Sequence, residues 1–124
     1  MKTFVVLAMI FCHIIDDYKL QQITLANLKQ KVWWQNNAPD ELYKNDYIVA
    51  LLMHAMSWSF MILLPVAVYK NFCVGTSFVI AFLLNTAIHA YVDDLKANRK
   101  KINLIADQSI HMFQIFASAA VLLW

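Results

Sequence analysis

Apolar residues in this chain fall into four blocks, 3–15, 47–69, 76–92 and 102–124, with polar links between them. A helix that crosses a bilayer needs about 20 predominantly apolar residues. The second and fourth blocks meet that length and the third approaches it. The first does so only if its helix runs on through Asp16 and Asp17 to Leu20. Hydrophobic residues make up 61% of the chain and charged residues 15%, away from the balance of an ordinary soluble domain. With one Gly and two Pro in 124 residues, turn-rich β architecture is excluded. The expected fold is all-α: a four-helix transmembrane bundle in a single domain, residues 1–124, with spans at about 3–20, 47–69, 76–93 and 102–124.

Met1-Lys2 and the run up to Cys12 look like the opening of a secretory signal. No small-x-small cleavage site follows, and Ile10 and Phe11 are too large for a lipoprotein box, so the segment is expected to stay as a helix. Cys12 and Cys73 form neither a CxxC pair nor a zinc-finger spacing, and are expected to be buried thiols.

The long first link has its own organisation. Residues 20–31 form helix readily, and Trp33 and Trp34 follow, as aromatics do at a headgroup boundary. An interfacial helix is expected between the first and second spans, then a turn at 36–39. Asp40 and Glu41 suit the first turn of a further short helix. The link 70–75 is short enough for an antiparallel hairpin. With four spans, Lys2 and Lys70 fall on one side and the other eight basic residues on the opposite side. Positive charge marks the cytoplasmic face. Links 18–46 and 94–101 are therefore expected in the cytoplasm and the protein in the inner membrane. The basic residues are not gathered with aromatics, which speaks against a nucleic-acid partner.

Ionisable side chains inside membrane spans are costly and call for a use. All four histidines lie in or at the edge of a span. Three have an aspartate one helical turn away, on the same face: His13 with Asp17, His89 with Asp93, and Asp107 with His111. His54 has no such partner and lies about 10 Å into the second span at the standard helical rise. With the spans alternating in direction, all seven groups fall in the cytoplasmic leaflet. One shared site is expected. Imidazole nitrogen and carboxylate oxygen suit zinc or another divalent transition metal rather than calcium. The candidate ligands are His13, Asp17, His54, His89, Asp93, Asp107 and His111, with Asp17, Asp93 and Asp107 also candidate catalytic bases. Gln21 and Gln108 are candidate supporting partners. Asn85 and Gln114 read as interhelical glue, and Ser57, Ser59, Ser109 and Ser118 as packing residues.

The motifs also carry a family resemblance. His13-Ile14-Ile15-Asp16-Asp17-Tyr18-Lys19-Leu20-Gln21 resembles the opening His-x-x-x-Asp-aromatic-x-Leu-Gln motif of the domain of unknown function 3307 family, and Ala26-Asn27-Leu28-Lys29 its next segment. His54 matches a lone histidine in the second span. His89-Ala90-Tyr91-Val92-Asp93-Asp94-Leu95-Lys96 resembles the His-x-x-x-Asp-x-x-Lys block, and Asp107-Gln108-Ser109-Ile110-His111 the Asp-Gln-x-x-His block. Asp16 departs from the small residue usual at its position and leaves open which aspartate serves the site. The resemblance implies a small multi-pass membrane protein of bacteria or their phages and no particular reaction.

The functional expectation is a metal-dependent hydrolase at the cytoplasmic membrane surface. Its partners would be membrane lipids, and its substrate a lipid or phosphodiester. The alternatives are a structural or interaction module whose His–Asp pairs hold helices together, and a proton pathway.

Overall fold

The computed structural model describes residues 1–124 and is entirely helical. Its elements are α1 (Lys2–Ile15), a π-helical turn (Asp16–Leu20), α2 (Ile23–Leu28), α3 (Lys31–Asn37), a 3-10 turn (Glu41–Tyr43), α4 (Asp46–Tyr69), α5 (Thr76–Ala97) and α6 (Leu104–Leu123). Local chemistry sets the boundaries. The Asn103 side chain caps α6 by accepting from the Ala106 amide at 2.9 Å, and Asp40 caps the 3-10 turn through the Leu42 amide at 3.0 Å; each satisfies a donor that the helix start leaves free. Asn71 and Phe72 adopt positive φ, and the Phe72 amide reaches back to the Ala67 carbonyl at 2.7 Å to close the end of α4.

The four long helices pack as a bundle. At one end of it lies an apolar cluster: Val5 and Met9 of α1; Trp58, Ile62, Leu63 and Val66 of α4; Ile115, Ala119, Leu122 and Leu123 of α6. Phe78, Ala81 and Phe82 of α5 pack against it. Starts of α1 and α5 thus meet ends of α4 and α6, so successive long helices alternate in direction. The opposite half of the bundle is polar inside. Of the 28 buried residues, 13 are polar or charged, and all four histidines are among them. Outward faces are apolar on every long helix: Phe4 and Phe11 on α1, Met53 and Phe60 on α4, Leu83 and Leu84 on α5, Phe113 and Phe116 on α6. Apolar surface on every long helix is unusual for a water-soluble domain.

Two helical segments, Glu41–Tyr69 and Thr76–Ala97, are long and apolar enough to cross a membrane. The other two expected spans do not reach that standard. α1 has 14 residues before the π turn. α6 has 20, but Asp107, Gln108, His111 and Gln114 occupy its first three turns.

Details of the first link differ from expectation. In place of one interfacial helix over 20–31, the chain breaks at Gln21-Gln22 and again at Gln30, giving two short helices, α2 and α3. Lys29 sits at the second break, and its buried side chain turns into the bundle. The turn expected at 36–39 is shortened, because α3 runs through Asn37 and ends at Ala38, whereas the short helical turn behind Asp40 forms as expected. The cysteines correct the sequence reading: both are free, Cys12 is half-buried, and Cys73 is exposed because it sits in the α4–α5 link rather than in a helix.

Candidate metal centre

The π turn shapes the site. Adding a residue to the turn, with the Gln21 amide bonded to the Asp16 carbonyl at 2.9 Å, rotates the chain relative to α1. As a result, two consecutive carboxylates both reach the interior. Asp16 faces α4, accepting from the Ser57 hydroxyl at 2.7 Å with its other oxygen 3.7 Å from His54 Nδ1. Asp17 faces α4 and α6: its Oδ1 lies 3.6 Å from His54 Nε2 and its Oδ2 accepts from Gln108 at 3.2 Å. α4 supplies His54, Ser57 and Trp58; α5 supplies His89, Asp93 and Lys96; α6 supplies Asp107, Gln108 and His111.

All four histidines converge, each at most 2% exposed. His89 is central: its ring stacks on His111 at 4.2 Å and on Trp58 at 4.3 Å, and lies 5.0 Å from His54. His13 meets His111 edge-on at 5.7 Å. The three aspartates expected at the site are there as well. His54, which has no partner along its own helix, gains Asp16, Asp17 and Asp93 across helices, the last at 3.6 Å.

Hydrogen bonding separates these groups by role. Trp58 Nε1 donates to His13 Nδ1 at 2.8 Å, so the His13 proton sits on Nε2 and goes to Gln108 Oε1 at 3.0 Å. Both His13 nitrogens are thereby engaged. Lys29 donates to Asp93 at 2.6 Å and to Gln21 at 3.0 Å. Lys96 donates to Asp107 at 2.7 Å. By contrast, five buried atoms have no hydrogen-bond partner: Asp16 Oδ2, Asp17 Oδ1, Asp107 Oδ1 and both ring nitrogens of His89. Buried polar atoms are nearly always paired, so this concentration at one spot calls for a ligand.

Two ligand sets have atoms within 4.8 Å of one another: Asp17, His54 and His89, and His89, Asp93 and His111. Zinc–ligand bonds of about 2.0–2.2 Å at tetrahedral angles place neighbouring ligand atoms about 3.3–3.6 Å apart. The 3.6 Å between Asp17 Oδ1 and His54 Nε2 meets that spacing. The first set fits an ion better, because Asp93 of the second set is already held by Lys29. Charge gives the same answer. Asp16, Asp17, Asp93 and Asp107 face two ammonium groups, Lys29 and Lys96. Asp16 and Asp17 are left without a lysine partner, an arrangement that suits one divalent cation.

Lys29, Lys96, Ser57 and Trp58 are site residues absent from the sequence-derived candidates, although Lys29 and Lys96 stand in the motifs that carry the family resemblance. Trp58 lies one turn after His54 and Lys96 two turns after His89, so helical spacing carried a signal for both. Ser57 is a hydrogen-bond donor to Asp16 rather than a packing residue. Asn85 and Gln114 join α5 to α6 at 3.1 Å, and Asn85 also donates to Ser118 at 2.7 Å. Comparison of the chain with protein-family models, with curated proteins and with solved structures returns no match.

Proposed function

We propose that this chain is a multi-pass inner-membrane protein whose helices hold one divalent transition metal ion, zinc by preference, and that it hydrolyses an ester or phosphodiester at the cytoplasmic membrane surface. The observation that carries the proposal is the set of unpartnered buried atoms on Asp16, Asp17 and His89, with neither carboxylate paired to a lysine. Asp17, His54 and His89 are the ligands in this reading. Three protein ligands leave a coordination position for water, and a bound ion activates that water near neutral pH. Asp16, oriented by Ser57 and with Oδ2 free, is the base. His13 and His111 position the cluster, and Lys29 and Lys96 neutralise Asp93 and Asp107. The apolar outer faces of all four long helices support the four-span reading. In that arrangement α1 crosses together with its π turn. The likeness to the domain of unknown function 3307 family supports the multi-pass reading and a bacterial or phage source.

The test is hydrolysis of phospholipids and soluble phosphodiesters by zinc- or manganese-loaded protein in micelles, wild type against Asp16→Asn. Loss of a general base lowers turnover by about 10²–10⁴-fold, and Asp16→Asn is expected to keep its metal. Metal-loaded wild type without turnover favours a second reading, a membrane module with a structural ion. The observation favouring that reading is the cross-helix bonding of Trp58 to His13 and of Lys29 to Asp93.

A further inference from the structure

A groove of about 710 Å³ runs along the outside of the bundle between the π turn and α6. Its walls are Tyr18, Leu104 and Ile105 near one end and Met112, Phe113 and Phe116 towards the other. Ile105 and Phe113 are 77% and 73% exposed. One polar side chain links this surface to the metal centre: Gln108 lines the groove and also contacts His13, Asp17 and Asp107 at 3.0–3.2 Å. Tyr18 is the chain neighbour of Asp17, so the groove passes directly beside a proposed ligand.

The groove is graded along its length. Leu104 to Phe116 covers about 18 Å at the helical rise. At the Leu104 end the chain neighbours are Lys19, next to Tyr18, and Lys100 and Lys101, which precede α6; all three are exposed. At the Phe116 end the lining is wholly apolar. The walls of this groove carry no charge themselves, and the lysines flank it at one end only.

We infer that the π turn–α6 groove binds an anionic glycerophospholipid. Its phosphate lies toward Lys19 and Lys101, an acyl chain lies over Phe113 and Phe116, and its ester or phosphodiester region lies at Gln108. This names the substrate class for the hydrolase reading and rests on that reading for the reaction, though not for the binding. A soluble phosphodiester would use the basic end and leave the apolar end bare. A neutral lipid would use the apolar end and gain nothing from the lysines.

The experiment is photolabelling of the full chain, reconstituted in phosphatidylcholine vesicles, with phosphatidylglycerol carrying a diazirine on one acyl chain. Adducts are mapped by mass spectrometry, and zinc content is measured on the same samples. Unlabelled phosphatidylglycerol is expected to reduce labelling within 104–116 by at least about fivefold, against less than about twofold for added phosphatidylcholine, a difference of roughly half a kcal/mol or more in relative affinity. Ser109→Phe fills the groove from an exposed position. It should cut that labelling to a similar degree, with zinc content unchanged. A second variant, Lys19→Gln with Lys101→Gln, leaves the groove open and should remove the preference for the anionic competitor. Equal competition by the two lipids, or adducts spread evenly over the outer faces of α4 and α5, would overturn the inference. Selective labelling without zinc would instead uphold the groove and refute the metal centre.

Discussion

Lys29 Nζ lies 2.6 Å from Asp93 Oδ2 with both residues buried, 5% and 4% exposed. The contact ties the short helix α2 to the long helix α5, 64 residues further along the chain. Asn98 of the α5 terminus reinforces it, donating to the Lys29 carbonyl at 3.0 Å and accepting from the Lys31 amide at 2.7 Å. Removing one partner of a buried ion pair leaves an uncompensated charge and costs about 3–5 kcal/mol. Lys29→Ala is therefore expected to lower unfolding stability in detergent by that amount. Adding Asp93→Asn should restore much of it, since the stranded charge is then gone. A single-variant loss below about 1 kcal/mol, the scale of a surface pair, would show that the contact is not buried in solution.

Trp58 is the second organising residue. Its indole N–H fixes the His13 tautomer, and its ring face packs on His89. Trp58→Phe keeps most of the packing and removes the donor, leaving a buried acceptor unsatisfied at a cost of about 1–3 kcal/mol. A lower Tm is expected. Bound cobalt or nickel should quench tryptophan emission in the wild type and largely lose that effect in Trp58→Phe. Identical Tm values for the two proteins would contradict the assigned hydrogen bond.

The legible part of this architecture was the part written in local spacing. Apolar block lengths gave α4, α5 and α6 to within a few residues, and the i,i+4 pairs located His13, His89, Asp93, Asp107 and His111 at one level. What spacing does not encode is docking between distant segments. Lys29 looks like a solvated charge because its partner is on another helix. The Asp16–Asp17 pair was ambiguous because an α-helix turns consecutive residues apart, and only the π turn brings both inside. Cys73 was misread because cysteine is usually buried, whereas the short link that holds it lies on the surface.

Orientation has its own test, and burial changes which positions are useful. Lys29 is unsuitable for labelling because it is buried, whereas Lys44 and Lys100 are exposed. In intact cells an impermeant maleimide should label native Cys73, which is exposed in the α4–α5 link. In a Cys73→Ser background, Lys44→Cys and Lys100→Cys should label only after permeabilisation. Labelling of either from outside would reverse the assigned topology.

The central claim is that Asp17, His54 and His89 hold one metal ion inside the bundle. Its most direct test is elemental analysis of detergent-purified protein after zinc repletion and dialysis, for wild type, Asp17→Asn, His89→Ala and Asp107→Asn. One zinc per chain is expected in the wild type and in Asp107→Asn, whose carboxylate is held by Lys96. Near-complete loss is expected in Asp17→Asn and His89→Ala, with helix content retained by circular dichroism. Substoichiometric zinc in the wild type, or full occupancy in Asp17→Asn and His89→Ala, would contradict the account.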